Sequence, residues 1–203
     1  MKLISPSNTR GMVKQPLVFK QFNNVVNTLT TELSRHYLYI GNVVHYAYEL
    51  IKTHNVDLST ALIESKIYYD NNSIVKQGKF YNDIKPPIEV INNVMLLATH
   101  HTNWLMETVG KLPQQNEVAF LTKYNFKNWL GGTADILIDN GNGTHTIADI
   151  KNYSNPNTKN LRSHYTQCLL YSKLASDNGY DISDIKLYYP AQEQVITLPI
   201  RSI

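Results

Sequence analysis

Two periods of hydrophobic spacing divide this chain, and one gives way to the other near Pro113. From Thr31 to about Thr53, Leu33, Tyr37, Ile40, Val44, Tyr48 and Ile51 recur at steps of three and four, the spacing of an amphipathic helix. Asp57 is an N-cap candidate for a second helix running to about Tyr69. Residues 70–87 read as a polar connection closed by Pro86 and Pro87. Ile91, Val94, Met95, Ala98 and Leu105 then mark a third helix over about 88–109, stopped near Gly110 and Pro113. Residues 1–20, broken by Pro6, Gly11 and Pro16, read as irregular.

Beyond that point the pattern shortens to strands. EVAFLTKYNF (117–126) alternates, WLGGTADILID (129–139) follows, and NGNG (140–143) separates it from THTIADIKNY (144–153). Asn-Gly between two such runs is a strong hairpin signal. A helix is expected from about Leu161 to Asp177, with Gly179 just past its end. IKLYY (185–189) and QVITL (194–198) form a last hairpin around residues 190–193. The fold class is therefore mixed α/β, with a helical N-terminal region ahead of a β-β-β-α-β-β core. The natural division falls between residues 1–87 and 88–203, packed as one domain overall.

Composition narrows the classes of function. At 203 residues the chain is long enough for one substantial core, and 42% apolar with 17% charged residues is ordinary for a globular protein. A formal charge of +3 is compatible with an anionic partner without requiring one. Cys168 is the single cysteine, which excludes an intramolecular disulfide and a cysteine-held zinc or iron–sulfur centre. That usage fits a reducing compartment such as the cytoplasm, and no uncharged apolar run approaches the roughly 20 residues of a membrane span.

The chemistry concentrates in the central hairpin. Asp149 and Lys151, two apart on a strand, project from one face. Pairing across NGNG brings Asp135 close to Asp149. Two carboxylates at one point repel unless a cation lies between them, and hard oxygen ligands suit Mg²⁺ or Mn²⁺. Gly131, Gly132, Thr133 and Ala134 before Asp135 leave little bulk, so a phosphodiester could come close. Lys151 could orient or deprotonate a water, or offset charge developing on phosphate. The competing reading of D-x-K alone is a solvated ion pair of little energetic value. His100 and His101 read as helix surface or packing, Asp139 as too close to the turn to be a ligand, and Cys168 as core filling.

These residues carry a family resemblance. Gly131-Gly132-Thr133-Ala134-Asp135, then Ala148-Asp149-Ile150-Lys151, then Gln167 and Tyr171 at Q-x-x-x-Y spacing, resemble the PD-(D/E)xK nuclease superfamily. Gly41 and His45, at G-x-x-x-H spacing, and Glu117 at the head of the first strand resemble its RecB-like branch. The resemblance spans about residues 35–175. It implies a restriction-endonuclease-like core, α-β-β-β-α-β around a mixed sheet, with one or two Mg²⁺ or Mn²⁺ ions held by His45, Asp135, Asp149, the Ile150 carbonyl and Glu117. Lys151 would position the attacking water, and Gln167 and Tyr171 would line the site, touching DNA or bracing Lys151. Glu107 competes with Glu117 for the acidic role. The cysteines of the iron–sulfur members are missing, as is a Walker motif.

The expectation that follows is a metal-dependent deoxyribonuclease, an exonuclease acting on single-stranded or end-containing DNA in replication, recombination or repair, of the kind phages encode. Unidentified replication or recombination proteins are possible partners. A structure-specific or restriction-type endonuclease is the alternative within the class, and a catalytically silent DNA-binding module the alternative outside it. Lys159, Arg162 and Lys173, with Lys123 and Lys127 beside the hairpin, are the expected phosphate contacts. Tyr68, Tyr69, Phe80 and Tyr81, interleaved with Lys66, Lys76 and Lys79, could stack on unpaired bases or cover the edge of the core.

Overall fold

The structure is a computed structural model that describes residues 2–4, 32–76, 88–123, 125–126, 128–152 and 156–200. Among the described residues, four α-helices and six strands follow in the order β1 (Lys2–Ile4), α1 (Glu32–His54), α2 (Leu58–Lys76), α3 (Ile88–Thr108), β2 (Gln114–Lys123), β3 (Asn128–Asp139), β4 (His145–Ile150), α4 (Thr158–Asp177), β5 (Ile182–Tyr189) and β6 (Gln194–Pro199). The chain is α/β with its helices leading. Two compact units emerge, a helical unit of residues 31–111 and a sheet unit of residues 1–30 and 112–203. α3 groups with α1 and α2 in the helical unit.

In the helical unit α1 buries Ile40, Val43, Val44, Ala47, Tyr48 and Leu50. The three- and four-residue spacing puts these on one side, and α1 packs against both α2 and α3. Asp57 caps α2, its carboxylate accepting from the backbone N–H of Thr60 at 3.1 Å and from the Thr60 hydroxyl at 2.6 Å. Capped this way, α2 continues seven residues beyond the expected Tyr69, to Lys76. At the end of α3 the Lys52 ammonium donates to the Gly110 carbonyl. A side chain at Gly110 would meet the Met106 carbonyl oxygen at 2.6 Å, so glycine is required there.

The sheet unit is built on one six-stranded sheet in the order β1-β3-β4-β5-β6, with β2 paired to the other edge of β3. β2–β3, β3–β4 and β5–β6 are antiparallel, and β1–β3 and β4–β5 are parallel. A parallel pair needs a crossover, and α4 is the crossover between β4 and β5. Asn157 caps α4 by accepting from the backbone of Asn160 at 3.0 Å, which starts the helix at Thr158 rather than the expected Leu161. The helix and sheet bury a common cluster including Leu137, Ile147, Cys168, Leu174, Ile185 and Leu187. Cys168 is core filling, as its position predicts.

Two features of β3 position the chemistry. Its turn to β4 is fixed by side chains: Asp139 accepts from the Gly141 N–H at 2.8 Å and Asn142 from the Thr144 N–H at 3.0 Å. Asp139 is thereby a turn residue. The second feature is a fork. On one edge of β3 the pairing with β1 ends at Leu130 and the pairing with β4 begins at Ile136. Residues 131–135, the Gly-Gly-Thr-Ala-Asp run, lie between the two partners.

Candidate metal centre at the sheet fork

The register places three carboxylates in one row across three strands. Asn116 pairs with Ile136 and Val118 with Ala134, so Glu117 stands opposite Asp135. Ile136 pairs with Ala148, so the next position along, Asp135, faces Asp149. Glu117 has a positive φ of 50°, the left-handed region that non-glycine residues seldom adopt, and it does so inside a strand. One carboxylate oxygen of Glu117 and one of Asp135 lie within 4.8 Å of each other. Oxygens sharing one octahedral cation, with bonds of about 2.0–2.1 Å, stand at most roughly 4.2 Å apart, so the pair would draw together around such an ion.

Asp135 does the work of a missing strand bond. Past Ile136↔Ala148 the ladder stops, and the Asp135 carboxylate accepts the backbone N–H of Ile150 at 2.7 Å. The N–H and carbonyl of one strand residue share an edge, so the Ile150 carbonyl also opens toward the fork. On the other edge of β4 the Lys151 N–H donates to the Tyr188 carbonyl at 2.8 Å. That bond fixes the backbone from which the Lys151 side chain departs.

Asp149 is 1% exposed, and the Lys151 ammonium lies against its carboxylate. The same ammonium donates to the Gln167 side-chain carbonyl at 3.3 Å. Gln167 is turned the right way by its neighbour one helical turn on, for its amide donates to the Tyr171 hydroxyl at 2.7 Å. Burial pulls the Lys151 ammonium down, and the carboxylates of Asp149 and Asp135 overcome this, so its pKa is raised. The raised pKa favours the ammonium form, which donates to Asp149 and Gln167.

The carboxylate oxygens of Glu117 and Asp135 are hard donors of the kind a divalent cation takes, and the register sets the buried Asp149 next to Asp135. His45, which the resemblance names as a ligand, lies half-buried in the middle of α1 and belongs to the helical unit. Glu107, the competitor to Glu117, is exposed on α3. His100 is exposed and His101 buried, at 2% exposure, on the same helix.

Tyr171, expected to touch DNA or brace Lys151, is 3% exposed and its hydroxyl accepts from the Gln167 amide. Lys159 and Arg162 are exposed on the first turns of α4, while Lys173 pairs with Asp177. Tyr68 packs its ring on Tyr46 at 4.7 Å between centroids, and Lys66 is half-buried. The side chains of Tyr69 and Lys76, and Lys79, Phe80, Tyr81 and Lys127 altogether, lie outside the described residues.

A pair that the sequence reading passed over lies behind Asp149. His164 on α4 and Tyr189 on β5, both buried, meet at 3.0 Å between ring nitrogen and hydroxyl. Burial, and then the Asp149 carboxylate, push the Tyr189 hydroxyl up to about 12. The signal was present as a helical stripe: His164, Gln167 and Tyr171 share one face of α4 at steps of three and four.

No protein-family model matches the chain. No curated protein matches it. Among solved structures it is similar to one described as the crystal structure of SSO0001, with 17% of residues identical, 95% of this chain and 81% of that chain covered, and a TM-score of 0.39. A likeness that weak says nothing of fold family or activity.

Proposed function

We propose that this protein is a Mg²⁺- or Mn²⁺-dependent deoxyribonuclease that hydrolyses phosphodiester bonds, acting as an exonuclease on single-stranded or end-containing DNA. The observation that carries the reading is the arrangement at the fork. The carboxylates of Glu117 and Asp135 meet where the sheet parts, and beside them on β4 Asp149 holds Lys151 together with Gln167. The order of motifs that resembles RecB-like nucleases supports it from the sequence side. A core of this α/β class hosts many activities, so the residues rather than the fold bear the reading.

A divalent cation, when bound, polarises phosphoryl oxygens and makes a coordinated water acidic enough to attack. Glu117, Asp135, Asp149 and the Ile150 carbonyl offer it oxygens. Lys151 donates to the water or to the phosphoryl oxygen on which negative charge develops, and holds it in line with the scissile bond. Gln167 keeps the ammonium in place, and Tyr171 keeps the Gln167 amide from flipping. Water adds to phosphorus, the bond to the 3′-oxygen breaks, and the product carries a 5′-phosphate.

End-labelled linear single- and double-stranded DNA and a covalently closed circle, each with Mg²⁺, Mn²⁺ or EDTA, test the proposal. The expected result is metal-dependent loss from ends that Asp149→Ala abolishes, with the circle spared. A wild-type protein that leaves every substrate intact with both metals, or a product bearing a 3′-phosphate, overturns it.

A further inference from the structure

Along β2 every second side chain is exposed: Gln115, Glu117, Ala119, Leu121 and Lys123. Across the ladder Ala119 pairs with Thr133, Leu121 with Gly131 and Lys123 with Trp129. A row thus leaves the Glu117–Asp135 pair, crosses the small residues Ala119, Thr133 and Gly131 with the half-exposed Leu121 beside Gly131, and ends at Lys123 and Trp129. Just past its end stands Phe126, 94% exposed, with the Lys123 ammonium 5.3 Å from the centre of its ring.

An isolated exposed aromatic needs no explanation. This one closes a lane that starts at the candidate metal centre, and its companion is a cation. A nucleic-acid strand presents the matching alternation of phosphate charge and flat base. Small side chains let its backbone lie close, a lysine meets phosphate, and a ring stacks on any base without reading its identity. Bases inside a duplex already stack on each other, so a protein ring finds an open face only on an unpaired or terminal base.

We infer that the outer limb of the β2–β3 hairpin is the track for the single-stranded part of the substrate, with Phe126 as its stacking platform and Lys123 as its phosphate contact. The inference rests on the phosphodiesterase reading and adds to it a place for the strand beside the cut. From Glu117 to Lys123 the track runs about 20 Å. A stacked strand advancing about 3.4 Å per nucleotide covers that length in about six nucleotides.

The test is binding in EDTA, where nothing is cut, by fluorescence anisotropy of labelled oligothymidylates shorter and longer than about six nucleotides. Phe126→Ala is expected to weaken binding of the longer set by at least about fivefold and to leave the shorter set unchanged, with Phe126→Trp restoring wild-type affinity. Lys123→Ala is expected to weaken the longer set and flatten its salt dependence. Wild-type affinity in Phe126→Ala at every length overturns the track. So does a change in sedimentation of the protein alone, which would mark the tip as a protein interface. Cleavage of the same oligonucleotides with Mg²⁺ or Mn²⁺ separates the two readings. A wild type that cuts, beside a Phe126→Ala that binds normally, removes only the track, whereas a wild type that neither binds nor cuts removes both.

Discussion

The carboxylate of Asp135 accepts the backbone N–H of Ile150 at 2.7 Å, in the position where a strand carbonyl would have continued the ladder. One side chain is therefore both a candidate ligand and the brace that holds β4 at the point where the sheet parts. Ile150 is 3% exposed, so its N–H has no easy recourse to water.

The two duties of Asp135 separate by substitution. Asp135→Ala orphans a buried donor and is expected to cost about 1–3 kcal/mol of stability. Asp135→Asn keeps a carbonyl oxygen for that donor and costs less than about 1 kcal/mol. On the proposed activity, both are expected to abolish metal-dependent cleavage. Urea unfolding in EDTA gives the stabilities, and equal losses in the two variants would remove the bracing role.

Lys151 and Asp149 are expected to be strongly coupled. Removing the ammonium alone leaves a carboxylate 1% exposed without its cation, and breaking a buried pair costs about 3–5 kcal/mol. The double variant Lys151→Ala/Asp149→Ala is expected to be more stable than Lys151→Ala in metal-free buffer. A double-mutant cycle by chemical denaturation reads the coupling, and strict additivity would show that the pair does not interact.

On the proposed function, Tyr171 is expected to act through Gln167, whose amide donates to its hydroxyl, and not by touching substrate. Tyr171→Phe removes the hydroxyl that accepts the Gln167 amide and is expected to cost about 1 kcal/mol. On the proposed activity it lowers kcat several-fold and leaves KM and DNA affinity unchanged. A loss confined to DNA affinity would place the ring against substrate instead.

Asp57 gives the helical unit a measurable acid limb. The Thr60 hydroxyl, and then the Thr60 backbone N–H, hold its carboxyl below the usual carboxylate range. A depressed folded pKa contributes stability that is complete above the unfolded value and is lost as pH falls through the folded one. Asp57→Ala is therefore expected to lower Tm at neutral pH, with the difference from wild type shrinking as the pH falls below about 4. A constant difference across that range would assign the effect to helix propensity rather than to the cap.

Much of this architecture was legible because period reports burial. The change from helical to alternating spacing near Pro113 gave the order of elements, and Asn-Gly gave the β3–β4 hairpin with Asp135 near Asp149. What escaped was short or long-range. β1 is three residues without alternation, and it pairs with Asn128–Leu130 from the far end of the sequence. Without β1 there is no fork, and the run of small residues before Asp135 looks merely flexible. Spacing put Tyr171 one turn from Gln167 but carried nothing about whether its hydroxyl faces substrate or protein. Periodicity marks the apolar face of the third helix but does not say that α1 and α2 are its partners.

Glu117 sets the fold against its task. Its left-handed backbone disfavours any residue with a Cβ by about 1–2 kcal/mol, a penalty that glycine escapes. Glu117→Gly is the substitution that strand geometry alone would select, and it discards the carboxylate facing Asp135. A library of variants sorted only for thermal resistance would therefore accumulate glycine at this position, and one sorted for cation uptake would purge it. Comparing the two enrichments would show how much fold stability the protein forgoes to keep an acid in that place.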